Sequence, residues 1–167
     1  MRDNLTQSDI DKMKAEIEHR KVVVRHELLE QVVAARAHGD LSENFEYHAA
    51  KKEKNKNESR IRYLERMIRT ANVIDDSSAE DEVGINNTVT VEYIEDKETE
   101  EYKLVTTVRA DSFKNLVSIE SPLGKAIIGK KEGDIVKVHV NDNISYDVKI
   151  IKIDKTSDDS EDEISRY

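Results

Sequence analysis

The sequence contains no cysteine and no tryptophan, a single proline, two phenylalanines and only five glycines. The lack of cysteine excludes a disulfide framework and a metal site built on thiolates. No apolar run approaches the ~20 residues that a membrane-spanning helix needs. The first residues are polar, unlike the apolar core of a signal peptide. We therefore expect a cytoplasmic protein with no membrane partner.

Charged residues make up 38% of the 167 residues, and hydrophobic residues only 37%. A single compact core of this size normally comes with a more apolar composition, so the excess charge indicates long, exposed helices. The net charge of −9 is uneven, because residues 1–75 are about neutral and residues 76–167 are strongly acidic. An acidic second half argues against bare duplex DNA as a partner, since phosphate contacts need Lys and Arg.

The first long element is a run without proline or glycine. Apolar residues recur in steps of three and four from Ile10 to Ala35, with Lys21 at one skipped position. This spacing predicts one face of a helix over residues 8–38.

A second run has the same spacing from Tyr47 to Ala71, with Lys54 and Asn57 at polar positions in its middle. Two helices of similar length with a short connection predict an antiparallel hairpin with a coiled-coil seam. Polar seam positions lower stability while fixing register. We therefore expect a hairpin held firmly at its base and loosely midway.

The connection between the runs is acidic. Gly39 can adopt the left-handed conformation that closes a helix. Asp40 is predicted to cap the second helix, and Glu43 completes a capping box. The alternative is a functional role, since Mg²⁺ prefers carboxylate oxygens and often takes only one or two from a protein. Two exposed carboxylates hold Mg²⁺ poorly alone, but they suit a site completed by another macromolecule.

The second helix has eight basic residues between Lys51 and Arg69. Such a run is most often a solvated face. The alternative is a surface that meets phosphates just below the acidic connection.

After residue 87 the apolar period changes to two, which predicts an antiparallel sheet with one short helix. Ser121 is expected to cap that helix and Pro122 to occupy its first position. We predict an α+β protein divided into a helical-hairpin domain over 1–76 with its acidic tip at 39–44, a linker over 77–87, a sheet domain over 88–153 and a disordered acidic tail over 154–167.

A catalytic site of the chain's own is not apparent. The five histidines lack metal spacing such as H-E-x-x-H, the glycines form no phosphate-cradling loop, and no nucleophile elbow is present. We expect an accessory protein rather than an enzyme, with no cofactor of its own.

Two motifs resemble those of the bacterial GreA/GreB transcript-cleavage factors, closest to GreA. The first is Gly39–Asn44 followed by Glu46–Lys51, continued by Arg60-Ile61, Leu64-Glu65 and Ala71–Asp75. The second is Ser121–Ala126 with Gly129–Lys131 and Gly133-Asp134. The resemblance covers residues 8 to 153 and leaves the acidic tail outside.

The resemblance implies a factor that binds RNA polymerase as a monomer and inserts its hairpin through the secondary channel. An FKBP-like C-terminal domain would dock at the channel rim. The tip would help to hold the second Mg²⁺ of the polymerase active site, so that the polymerase cleaves the 3′ end of backtracked RNA. The implied residues are Asp40 and Glu43 for Mg²⁺, Leu41, Ser42 and Asn44 for the tip and the RNA end, and Lys51, Lys52 and Arg60 for RNA phosphates.

Three residues depart from the family pattern. Phe45 stands where the family usually has Ala, His26 replaces a Pro, and Thr106 replaces a Gly. Phe45 lies beside the tip, so a non-cleaving regulator of the same channel is the alternative function. A peptidyl-prolyl isomerase is a third, suggested only by the FKBP-like resemblance and by the aromatic residues Tyr93, Tyr102, Phe113, Tyr146 and Tyr167.

Overall fold

The computed structural model of the protein describes residues 2–40, 44–156 and 158–166. The chain forms two compact units: Met1–Asp3 with Asp9–Ala71, and Asn4–Ser8 with Asn72–Tyr167. Within the described residues, every helix is too short or too polar to cross a membrane.

The first unit is the predicted helical hairpin. Its ascending arm comprises α1 (Gln7–His19), a π-helical turn (Arg20–Val24) and α2 (Arg25–Arg36), and its descending arm is α3 (Phe45–Thr70). The arms are antiparallel, because a residue later in the ascending arm contacts a residue earlier in α3. Lys21 Nζ lies 2.6 Å from Glu65, and Arg25 donates two hydrogen bonds of 2.7 and 2.9 Å to Glu58.

The π-helical turn is a departure from the uniform helix predicted over 8–38. Its wider hydrogen bond runs from the Arg25 N–H to the Arg20 carbonyl. Asn57 Nδ2 of α3 donates to that same carbonyl oxygen at 3.3 Å. Insertion of a side chain into the backbone ladder is a known cause of such local widening.

The seam of the hairpin is apolar at both ends and ionic in the middle. Its buried apolar residues are Ile10, Met13, Ala35, Tyr47, Ile61, Leu64 and Met67. In the middle, Glu16 accepts hydrogen bonds from Arg20 at 2.7 Å and from Arg60 at 2.8 and 3.2 Å. Arg20 Nη1 also donates to Asn57 Oδ1 at 3.0 Å.

The expectation of a loosely held middle is therefore corrected. Four polar side chains hydrogen-bond to one another there, and Arg60 is only 5% exposed. Burial by itself would raise the pKa of Glu16. The hydrogen bonds and positive charges of Arg60 and Arg20 outweigh burial and hold that pKa below its ordinary value of 4.5.

The second unit contains two sheets. A small parallel pair joins β1 (Asn4–Leu5) to β2 (Asn72–Val73), and the sequence pattern did not indicate it. The five-stranded sheet has the order β5-β4-β3-β7-β6. Its strands are β3 (Thr88–Tyr93), β4 (Glu98–Val105), β5 (Leu116–Ser118), β6 (Ile135–His139) and β7 (Ser145–Asp154).

The predicted antiparallel sheet needs one correction. Three of its four strand pairs are antiparallel, but β4 and β5 are parallel, so the sheet is mixed. Two short 3₁₀ turns, Thr107–Arg109 and Ser112–Lys114, fill the connection between β4 and β5. They bring the chain back beside Lys103, so that β5 runs parallel to the last three residues of β4.

The short helix α4 (Pro122–Ile127) forms as predicted. Ser121 Oγ accepts the Gly124 N–H at 3.0 Å, and Pro122 occupies the first turn. Gly124 is required by close approach, because a Cβ there would lie 2.0 Å from the Ser118 carbonyl oxygen. The helix covers a core formed by Val83, Val89, Val91, Leu104, Leu123, Ile127, Val138, Val148 and Ile150.

Residues 77–87, expected to be a linker, belong to this unit. Val83 is fully buried in the core, and its N–H donates to the Lys130 carbonyl at 2.8 Å. Lys155 Nζ donates to Ser78 Oγ and to the Glu82 carbonyl, both at 2.8 Å. The segment is polar because its backbone and side chains hydrogen-bond at the edge of the core.

The ionic middle of the hairpin leads to a pH-dependent stability. We expect Glu16→Gln to lower the free energy of unfolding by about 1.5–3 kcal/mol near neutral pH, as for hydrogen bonds to charged groups. The folded-state pKa of Glu16 is depressed, so its contribution is complete above 4.5 and is lost as the pH falls through the folded pKa. Urea denaturation over this pH range measures both effects.

Glu18→Gln on the exposed side of α1 is the matched control, and we expect it to change little. A difference between Glu16→Gln and wild type that stays constant down to strongly acidic pH would contradict the account of the ionic middle.

Candidate functional site: the tip of the hairpin

The tip is the connection between α2 and α3. α2 ends at Arg36, and the Ala37 and His38 N–H groups bond back to the Ala34 and Ala35 carbonyls. Gly39 then has φ of +108°, which only glycine adopts readily, as its position in the sequence predicts. This turn ends the ascending arm and brings the chain to Asp40.

The predicted capping box needs a correction. α3 begins at Phe45, and its N-cap is Asn44 rather than Asp40. Asn44 Oδ1 accepts the Tyr47 N–H at 3.1 Å, while its Nδ2 donates to the Ala35 carbonyl at 2.6 Å. One amide therefore caps α3 and binds the last turn of α2, which fixes the width of the tip.

The corrected cap changes the interpretation of Asp40. Asp40 is exposed and precedes the helix by several residues, so it is not the N-cap of α3. Its partner in the predicted pair, Glu43, lies outside the described residues, as do Leu41 and Ser42. Asp40 shares a shallow surface depression with His38, Asn44, Phe45 and Glu46.

The described part of the chain contains no group of three or more residues able to hold a metal ion. His38 Nε2 and Glu46 Oε2 are 3.7 Å apart at the base of the tip. Phe45 is 86% exposed, so its ring projects from the first position of α3. The tip thus exposes the carboxylates of Asp40 and Glu46 and the ring of Phe45 to solvent.

The basic residues of α3 separate into two groups. Lys51 and Lys52 are exposed within two turns of the tip. Arg60 is not on that surface, since its guanidinium is buried against Glu16 in the ionic middle. The prediction that Arg60 contacts phosphates is therefore corrected. Arg60 instead joins the two arms of the hairpin through Glu16, a role that the charge pattern did not indicate.

Of the aromatic residues named for an isomerase pocket, Tyr93, Tyr102 and Tyr146 lie together on the sheet. Tyr93 and Tyr102 join their hydroxyl groups at 2.5 Å, and the Tyr146 ring lies 5.6 Å from that of Tyr93. Burial first, and then the hydrogen bond to Tyr102, raise the pKa of Tyr93 well above its ordinary value. Phe113 stands apart from them at 99% exposure, and Tyr167 lies outside the described residues.

Comparison with known proteins agrees with this arrangement. The N-terminal domain model of transcription elongation factors GreA and GreB matches residues 4–73, and the C-terminal domain model of the same factors matches residues 78–155. The chain belongs to the GreA/GreB family of transcription elongation factors. It is 47% identical over 153 residues to GreA of Streptococcus gordonii, which covers 91% of this chain and 95% of that protein.

GreA of Streptococcus pneumoniae serotype 19F is 45% identical over 154 residues, or 92% of this chain and 96% of the relative. Among solved structures, GreA factor homolog 1 of Thermus thermophilus is similar with a TM-score of 0.42 and 22% identity, over 92% of this chain and 99% of that one.

The role of Asn44 gives a second prediction. Asn44→Ala removes both side-chain hydrogen bonds, and we expect a loss of about 1–2 kcal/mol in the free energy of unfolding. Asn44→Asp keeps the acceptor for the Tyr47 N–H but loses the donor to Ala35, so we expect it to retain most of the cap. Thermal and urea denaturation measure both variants.

The matched control is Asn55→Ala, an exposed asparagine inside the same helix. Alanine is a better helix former there, so this variant should be as stable as wild type or slightly more so. Equal losses at positions 44 and 55 would show that Asn44 is not the cap.

Proposed function

We propose that the chain binds RNA polymerase, places its hairpin in the secondary channel and stimulates the polymerase's own Mg²⁺-dependent cleavage of backtracked RNA. The observation that supports this proposal most directly is the exposed Asp40 at the tip of a long hairpin, in a chain of the GreA/GreB family. Asn44, and not Asp40, is the N-cap of α3.

In the proposed reaction, the polymerase provides the active site and this chain provides carboxylates that bind one of its metal ions. Hydrolysis with two metal ions needs a second ion and an oriented water. Mg²⁺ keeps several waters and accepts only one or two carboxylates from a protein. Asp40 and Glu43 would supply these carboxylates at the polymerase active site, while the chain has no cofactor of its own. It would act as an accessory factor and not as an enzyme.

The surface below the tip suits the extruded RNA. Lys51 and Lys52 are exposed next to the tip and would meet RNA phosphates. Leu41 and Ser42 would touch the RNA end. Asn44 is assigned differently, because both ends of its amide are already bound within the hairpin. It would position the tip and not contact RNA.

A second candidate function is a non-cleaving regulator that occupies the same channel. The observation in its favour is the exposed Phe45, whose ring enlarges the tip beside Asp40. Such a factor would compete with other channel-binding proteins without shortening the transcript.

Both functions are tested with stalled, backtracked elongation complexes that contain end-labelled RNA. We expect Asp40→Ala combined with Glu43→Ala to abolish stimulated cleavage and to leave polymerase binding nearly unchanged. The reason is that the carboxylates would act on the metal and not on docking. Cleavage is followed on gels, and binding by competition with a labelled channel-binding factor.

The control is Glu18→Ala combined with Glu27→Ala, which removes two exposed carboxylates from the shaft of the hairpin and should leave cleavage intact. Full cleavage by the tip variant would contradict the role of the carboxylates. Competition without cleavage by the wild-type chain would favour the regulator.

A further inference from the structure

The C-terminal segment Asp158–Arg166, here called the acidic tail, lies beyond the part of the chain that the family models match. It is most of the segment 154–167 that was predicted to be disordered, but the structure places it against the sheet unit, and Asp154 ends β7. The Ser165 N–H donates to the Val108 carbonyl at 2.7 Å. Just before the tail, Asn87 Nδ2 donates to the Thr156 carbonyl at 3.3 Å.

Asp162 is the centre of the contact between the acidic tail and the sheet unit. Its carboxylate accepts hydrogen bonds from Arg109 Nη1 at 2.9 Å and from Lys103 Nζ at 3.0 Å. Its side chain is only 10% exposed. Lys103 Nζ also donates to the Asp158 carbonyl, and Asp159 lies 4.0 Å from Arg109.

Arg109 is held in place by the sheet unit itself. Its Nη1 donates to Asn86 Oδ1 at 2.7 Å, and its Nε donates to Thr106 Oγ1 at 3.3 Å. The side chain is fully buried with the acidic tail in place. A buried guanidinium is costly without a counter-charge, and Asp162 supplies a hydrogen-bonded one. The cation is thus oriented by residues of the fold and neutralised by the acidic tail.

We propose that Lys103 and Arg109, of which Arg109 is oriented by Asn86, form a binding site for acidic peptide segments, and that the acidic tail is its occupant in the folded chain. A carboxylate held between a guanidinium and an ammonium is a strong, charge-assisted arrangement.

The ligand is a peptide and not a free anion, because the contacts include main-chain groups on both sides of Asp162. The Asp158 carbonyl accepts a hydrogen bond from Lys103, and the Ser165 N–H donates to the Val108 carbonyl. The acidic tail also has five acidic residues and one basic residue, which complements the two cations.

The test uses the chain truncated after Thr156 and a fluorescent peptide with the sequence of residues 158–166. We expect saturable binding to the truncated chain, weakened by salt, and none to the full-length chain because its site is occupied. A peptide with Asp162→Asn should bind about tenfold more weakly or worse, as when one partner of a buried charge pair is removed. A peptide with Glu163→Gln, which changes charge equally at an exposed position, is the matched control.

Lys103→Ala in the truncated chain should also weaken binding, and circular dichroism verifies that each variant is folded. Equal affinity of the Asp162→Asn and Glu163→Gln peptides, or equal binding to truncated and full-length chains, would overturn the proposal.

A second measurement needs no truncation. In the intact chain, Asp162→Asn should accelerate hydrogen exchange at the Ser165 amide, whereas Glu163→Gln should not. Identical exchange in both variants would also contradict the site.

Discussion

The Glu16 carboxylate is the contact on which the hairpin most depends. It binds Arg20 in its own arm and Arg60 in the opposite arm, and Asn57 completes the set through Arg20. Apolar seams tolerate sliding between helices, whereas a buried polar set is satisfied in one register only. We infer that this set fixes which residues meet further along. It thereby places Ala35 opposite Asn44 at the tip.

The same polar set shapes the backbone beside it. The Arg20 carbonyl begins the π-helical turn and also accepts from Asn57. Above this point, Arg25 and Glu58 pair through two hydrogen bonds, and the arms continue to the tip. The position of Asp40 is therefore the outcome of contacts made far below it, in the middle of the hairpin.

Much of this fold follows from local sequence signals. Spacing predicted both arms, Gly39 predicted the end of the first, and Ser121 with Pro122 predicted the start of α4. Two sequence signals were ambiguous. Asp40 and Asn44 are equally good helix caps, and an arginine at the edge of a seam can be either buried or exposed to solvent. Asn44 is the cap because its amide also donates to the Ala35 carbonyl. Arg60 is buried because it hydrogen-bonds to Glu16 in the opposite arm.

Other features depend on residues that are distant in sequence. Val83 and Ile85 are the two large apolar residues of an otherwise polar segment, too few to predict that it belongs to the core. The acidic tail resembles a disordered segment by composition, and only the folded sheet unit brings Lys103 and Arg109 together to receive Asp162. The functional roles of the tip residues were predicted from the family resemblance. Asp40 and Asn44 are among the residues that the structure describes, whereas Leu41, Ser42 and Glu43 are not.

The most direct test of the proposed function is the Mg²⁺ dependence of RNA cleavage in backtracked elongation complexes, with and without the wild-type chain. If the tip lends carboxylates to the second metal ion, the chain should produce shortened, extendable transcripts and should lower the Mg²⁺ concentration for half-maximal cleavage. Unshortened transcripts, or cleavage with an unchanged Mg²⁺ requirement, would contradict the proposal.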